Sequence, residues 1–293
     1  MSLRLEMLQV ARLSPKLLGE SAELVEAFLR SQQNPDGGFQ DRSGNSDLYY
    51  TVFGMEGLRA LRKEESTPVT DYLRSFGNGE DLDIVHLACL IRCWANTQRG
   101  VPPLDVASIA KRLESFRTLD GGYNTIAKSP DGTAYGCFLI LNAYQDLQHP
   151  VPRPDRLWEC LQLLRADDGG FANQQDAPMG LTPSTAAACA ILRHIEEPVP
   201  QGMAEWLLAR QHPEGGFYAT PMAPMPDLLS TATALHALSG MQVALEEPVR
   251  EACLDFIDTL WTNRGGFYGN WTDDVLDCEY TYYGLLALGH LSV

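Results

Sequence analysis

Acidic side chains recur at matched places in this sequence, and they are the residues best able to do chemistry. Asp47, Asp83, Asp131, Asp227 and Asp277 each stand where an apolar helical run begins. A short carboxylate there caps free N–H groups and complements the positive end of the helix dipole. If several such starts converge on one space, the carboxylates repel and the pKa of at least one rises, which makes it a proton donor. Asp83, Asp227 and Asp277 are the candidate catalytic acids on this reading. His86, three residues after Asp83, reads as a hydrogen-bonded wall residue. Tyr49, Tyr50, Phe53, Tyr135, Tyr280 and Tyr283 fall in the first or second turns of the same runs, with Phe138 and Tyr282 beside them. Some must be core, but so many tyrosines near one end predict a pocket with apolar walls and a wet rim.

The elements that would position these residues repeat. Five amphipathic runs end in a double glycine and an aromatic: Asp36-Gly37-Gly38-Phe39, Asp120-Gly121-Gly122-Tyr123, Asp168-Gly169-Gly170-Phe171, Glu214-Gly215-Gly216-Phe217 and Arg264-Gly265-Gly266-Phe267. The first glycines at 121, 169, 215 and 265 are 48, 46 and 50 residues apart. The 84 residues between 37 and 121 leave room for one degenerate copy, and Phe76-Gly77-Asn78-Gly79-Glu80 stands where its turn belongs. Runs before the turns carry one wet face, as with Leu24, Val25, Phe28 and Leu29 against Glu23, Glu26 and Arg30, and predict outer helices. Runs after the turns, such as Ser184-Thr185-Ala186-Ala187-Ala188-Cys189, are apolar or small nearly all round and predict enclosed inner helices. No polar capping unit marks either end, so six helix pairs are expected to close into one all-α ring spanning residues 1–293.

Composition sets further bounds. Hydrophobic residues at 45% and charged residues at 20% describe a folded chain with a large core. A formal charge of −16, from 38 acids against 22 bases, disfavours nucleic acid and anionic membrane surfaces as partners. No stretch approaches the roughly 20 apolar residues of a membrane span, and the first eleven residues lack a secretory pattern. Seven cysteines is an odd number; Cys89, Cys93, Cys160, Cys189 and Cys253 lie in apolar helical patterns and read as free thiols in a reducing cytoplasm.

The run from Gly37 through Gln40, Asp47 and Tyr50 to Thr51, Gly54 and Gly57, and the run Asp277-Cys278-Glu279-Tyr280-Thr281-Tyr282-Tyr283-Gly284, resemble the repeat of protein prenyltransferase β subunits. The double-glycine turn is similar to that of the wider prenyltransferase and terpenoid-cyclase superfamily, and the resemblance covers roughly residues 20–293. It implies an (α/α)6 toroid whose aromatic cavity binds a farnesyl or geranylgeranyl diphosphate, with a possible α-type partner subunit. It also implies a zinc ion, held by Asp and Cys of one inner helix and His of the next, that activates a thiol. Position by position, Asp227 matches the Asp ligand, Leu229 stands where Cys belongs, and Tyr280 stands where His belongs. The segment Tyr218 to Pro224 contains no Lys or Arg to grip a diphosphate. Zinc is therefore not expected. Asp81-Leu82-Asp83-Ile84 resembles the Asp-x-Asp-Asp motif of class II cyclases in its first three positions. Asp273-Asp274-Val275-Leu276-Asp277 resembles the magnesium-diphosphate pattern of class I isoprenoid enzymes, so magnesium is the ion expected if a diphosphate binds. The resemblance thus implies an isoprenoid-binding toroid acting on a polyprenyl diphosphate without the standard zinc triad; a terpenoid cyclase and a non-catalytic binding module on the same ring are the alternatives.

Overall fold

The computed structural model describes residues 1–65, 67–97 and 103–293. Two short helices come first, α1 (Leu3–Ala11) and α2 (Pro15–Leu18). Six pairs follow, each an outer helix and then an inner one. They are α3 (Ser21–Ser31) with α4 (Leu48–Ala60), α5 (Thr70–Arg74) with α6 (Ile84–Thr97), α7 (Val106–Glu114) with α8 (Ala134–Asp146), α9 (Pro154–Leu163) with α10 (Thr182–His194), α11 (Met203–Leu208) with α12 (Leu228–Gly240), and α13 (Glu247–Leu260) with α14 (Cys278–Leu291). The first connection carries a short antiparallel pair, β1 (Phe39–Gln40) and β2 (Ser46–Asp47). The inner helices pack in the order α4, α6, α8, α10, α12, α14, and α14 returns to α4. The predicted ring closes.

The double glycines explain how. The turn of each unit presses its backbone onto the outer helix of the next unit. Gly37 meets the start of α5 at Pro68 and Val69, Gly121 meets Arg156 of α9, Gly170 meets Trp206 of α11, and Gly215 meets Ala252 of α13. Gly265 of the last unit meets the carbonyl of Leu24 on α3, the outer helix of the first. The degenerate second turn lacks this device; Arg112 of α7 instead donates to the carbonyls of Gly79 and Leu82. Leu24 itself, read above as part of the apolar stripe, is 43% exposed, because the approaching turn covers its backbone rather than its side chain. Behind each turn the aromatic is buried, and its N–H finds a partner on its own inner helix. Phe39, Phe171 and Phe217 donate to the hydroxyls of Thr51, Thr185 and Thr231, each at 2.9 Å.

Four inner helices begin at aspartates, as expected. Asp47, Asp83, Asp227 and Asp277 accept from backbone N–H groups of Tyr49, His86, Ser230 and Tyr280. Asp131 does not cap its helix: Thr133 does, accepting from Gly136 N, while an Asp131 oxygen accepts from Gln175. All six helices start at one rim of the ring.

The other end is covered by α1, which crosses the C-terminal ends of the inner helices. Leu3 N and Arg4 bind Gln145 and Asp146 of α8, and Arg4 also reaches Asn96 of α6. Glu6 binds Arg193 and His194 of α10 and lies 3.6 Å from His236 of α12. His236 in turn meets His290 of α14 at 3.1 Å. Val10 packs against Gly289, and Arg12 reaches the carbonyl of Arg59. The His194 bond, joined by the charges of His236 and Arg193 and resisted by burial, lowers the Glu6 pKa to about 2. Burial lowers His236 to about 4 and His290 to about 3.

Two outcomes follow from this architecture. Gly265 and Gly202 share a positive φ, +91° and +87°, but only Gly265 is crowded. Gly202→Ala should therefore cost about 1 kcal/mol for the backbone angle alone, and Gly265→Ala more than about 2 kcal/mol for angle plus collision; equal losses in urea unfolding would contradict the turn-on-helix account. The second outcome concerns acid. A histidine whose folded pKa lies below its unfolded value near 6.5 adds stability above that value, and this is lost as pH falls. Stability should drop from about pH 6.5 down to about pH 4, by roughly 3 kcal/mol for His236. His236→Gln should flatten that limb of the pH profile.

Candidate functional site

The ring encloses a lumen, and a single register decides what lines it. On α4, Tyr49, Val52, Phe53 and Glu56 face inward at i, i+3, i+4 and i+7, the spacing of one helix stripe. The stripe repeats as Val85, Ala88, Cys89 and Arg92 on α6, and as Tyr135, Phe138, Leu139 and Asn142 on α8. On α14 the lining residues Tyr282 and Tyr283 occupy the two middle places, which puts Glu279 at the first. Met7 of α1 closes the floor. The cavity between these stripes has a volume of about 120 Å³. Its upper walls are aromatic: Phe53 stands 5.0 Å from Tyr49 and 5.5 Å from Tyr283, ring centre to ring centre. Its lower wall is polar, with Glu56, Arg92, Asn142 and Asp146.

Glu279, outside the lining itself but hydrogen-bonded to the lining residue Tyr49, is the chemically distinctive group at the upper end. Burial raises its pKa from 4.5 to about 7, with the Asp277 charge adding to the rise and the Tyr49 bond opposing it. The Tyr49 hydroxyl donates to it at 2.6 Å. Burial and the neighbouring charges hold the Tyr49 phenol well above its ordinary value, so it remains a donor. At neutral pH Glu279 is thus divided between acid and carboxylate, beside aromatic faces that stabilise positive charge. This pairing is able to deliver a proton into an apolar space.

A family model described as the prenyltransferase alpha-alpha toroid domain matches residues 11–91 and 184–292. The chain belongs to the prenyltransferase alpha-alpha toroid family. Among solved structures, a variant of the type II terpene cyclase MstE from Scytonema, in complex with geranylgeranyl dihydroxybenzoate, superposes with a TM-score of 0.59 at 14% identity, covering 95% of this chain and 97% of that one. A second, ligand-free variant of the same cyclase gives a TM-score of 0.60 at 14% identity over the same shares. Candida albicans protein geranylgeranyltransferase-I complexed with GGPP gives 0.47 at 17% identity, covering 98% of this chain and 82% of that one. No curated protein matches the sequence.

Within this toroid the residues singled out by sequence fall into two groups. Tyr49, Phe53, Tyr135 and Tyr283 line the lumen. Tyr50, His86 and Tyr280 are outside its lining. His86 bridges two helix starts, Nδ1 to Asp83 at 2.8 Å and Nε2 to Asp47 at 3.1 Å. Burial lowers its pKa, but the two carboxylates outweigh burial and the net shift is upward. Asp83 is shifted down in return, burial being overcome by the backbone and ring of His86. Asp277 and Asp273 both accept from Arg42, which ties the first connection to the last across the seam of the ring; Arg42 also lies 5.6 Å over the Tyr280 ring. Burial raises Asp277 and Asp227, and both Asp227 oxygens are taken by Ser230.

The donor set does not fit the family's zinc. Asp227 is satisfied by Ser230, Leu229 offers no donor, and burial keeps the Tyr280 phenol protonated with its pKa up at about 12. Among the described residues no three His, Cys, Asp or Glu side chains group to hold a metal, and no helix is long and apolar enough to cross a membrane.

Sequence reasoning passed over Glu279, Glu56, Arg92 and Asn142. Counting from the capping residue of each inner helix would have found them, since Tyr49, Tyr135 and Glu279 share one offset and Glu56, Arg92 and Asn142 another. Because the Tyr49 hydroxyl stabilises the charged carboxylate, Tyr49→Phe should raise the Glu279 pKa above about 7. The carboxyl stretch followed by infrared titration, with Glu279→Gln to assign the band, reads this directly; a fall on removing the hydroxyl would refute the assigned geometry.

Proposed function

We propose that this toroid binds an isoprenoid in its lumen and acts on it by proton transfer from Glu279, a cyclase-like or isomerase-like reaction. The observation that carries the reading is a carboxylic acid raised to about 7 and hydrogen-bonded to Tyr49, an aromatic of the cavity wall. The family supports the isoprenoid part, and the fold is shared with MstE, a terpene cyclase solved with a geranylgeranyl substrate.

The step balances without a co-reactant. Glu279 gives its proton to one alkene carbon, the π pair becomes the new C–H bond, and a tertiary cation is left facing Phe53, Tyr135 and Tyr283. A second double bond can close a ring on that cation and pass the charge to its far carbon. With or without ring closure, a C–H beside the final cation returns its proton to the Glu279 carboxylate, and its electron pair becomes the product alkene. The aromatic faces hold the cation, and the covered floor keeps bulk water from quenching it. A protonated Glu279 is required, so turnover falls as pH rises through about 7.

Incubation of geranyl and geranylgeranyl substrates in deuterated water, followed by mass spectrometry, tests this. Deuterium should enter the product with the native protein and be lost with Glu279→Gln, while binding persists. Tight binding with no deuterium uptake by the native protein would leave a non-catalytic module; no binding at all would remove the isoprenoid reading.

A further inference from the structure

The rim chemistry leaves the other end of the lumen unexplained. There three neighbouring helices replace aromatics with Glu56, Arg92 and Asn142. Polar groups this deep are costly unless satisfied, and these are satisfied only in part. Arg92 donates from Nε to Asp146 at 3.2 Å and from Nη2 to Asn142 at 2.5 Å, but Nη1 meets no acceptor among the described residues. Glu56 is 2% exposed and uses only one oxygen, which accepts from Asn96 at 3.1 Å. Tyr282 is 1% exposed; burial first and the nearby Glu56 carboxyl second raise the phenol's pKa, but its hydroxyl makes no hydrogen bond of ordinary length and angle there. Spare donors and a spare carboxyl oxygen therefore line the same end of one cavity.

We propose that this floor is the subsite for the carboxylate of a short isoprenoid acid, bound by Arg92 Nη1 and the Tyr282 hydroxyl, with the chain rising past Phe53 and Phe138 toward the rim. The inference rests on the isoprenoid reading of the lumen. Charge selects the head group. Arg4 and Arg92 share Asp146, and Glu56 stands 3.9 Å from Arg92. Burial favours the neutral form of Glu56 against the pull of Arg92. Among the described residues Arg92 is the single guanidinium in the cavity lining, with Asp146 shared between it and Arg4, which suits a single carboxylate and is too little for a diphosphate. Size points the same way. The cavity of about 120 Å³ lies below the 300–1,000 Å³ common for ligand pockets. Seven residues of helix separate the rim stripe position from the floor position, a depth of about 10 Å. Entry head first would bring the alkene farthest from the carboxylate up to Glu279.

Calorimetric titration of the full chain with geranic acid, geraniol and geranyl diphosphate tests the assignment. Geranic acid should bind at least about tenfold more tightly than the other two, the effect of a hydrogen-bonded charge. Tyr282→Phe should remove about tenfold of that preference and leave geraniol unchanged. Because it deletes a buried hydroxyl without a partner, the variant should unfold at no lower urea concentration than the native protein. If the three ligands bind alike, or the variant keeps its full preference for the acid, the floor subsite is overturned while the isoprenoid lumen stands. If none binds, both readings fall together.

Discussion

The close approach of a double-glycine turn to the next outer helix is the contact on which the ring depends. A helix pair of this kind cannot bury its inner face alone, so each unit is stable only against its neighbours. The turn brings backbone to where a side chain would otherwise be, and the distance between units is then set by main-chain thickness. At Gly265 the same contact returns to Leu24, so the last unit uses for closure what the others use for propagation. The exception is instructive. In the second unit the guanidinium of Arg112, on the next outer helix, reaches back to the turn's own carbonyls at Gly79 and Leu82, replacing contact by charge-assisted hydrogen bonds.

Closure fixes the electrostatics of the lumen. Six parallel inner helices place all their N-termini at one rim and all their C-termini at the other end, and helix dipoles add along that direction. Aspartates occupy four of the starts, which satisfies the backbone and crowds negative charge around the rim. Asp277 is one of the charges that lift Glu279. At the opposite end, where the inner helices finish, Arg4 pairs with Asp146, and Arg193 and His194 pair with Glu6. Acid at the rim and a buried basic group at the floor are thus two results of one parallel arrangement.

The ring was legible in the sequence because its signals are local and repeated. The glycine pairs, the wet-faced runs and the spacing of the copies each point to the same six units. The lumen was less legible, for a physical reason. An inner helix enclosed by two neighbours and an outer layer is apolar on every side, so no hydrophobic face identifies which stripe lines the cavity. Aromatic residues drew the eye to Tyr49, Phe53, Tyr135 and Tyr283, which do line it, and equally to Tyr50 and Tyr280, which do not. Glu56 and Arg92 looked like isolated charges in apolar runs. Only the ring brings them to one end of one space. The covering helix α1 gave no signal in the sequence, since its role comes from polar contacts to helices as far away in the chain as His236 is from Glu6.

Among the described residues, α1 lies across one end of the lumen, with Met7 in its lining, and this favours the rim as the way in. What enters by the rim then leaves by the rim, and the water it displaces has to escape past it. Passage through one end imposes an order of events: the part of a ligand that arrives first departs last. Release of a product that has folded on itself inside would then depend on movement of the rim tyrosines, and exit rather than chemistry would set the pace.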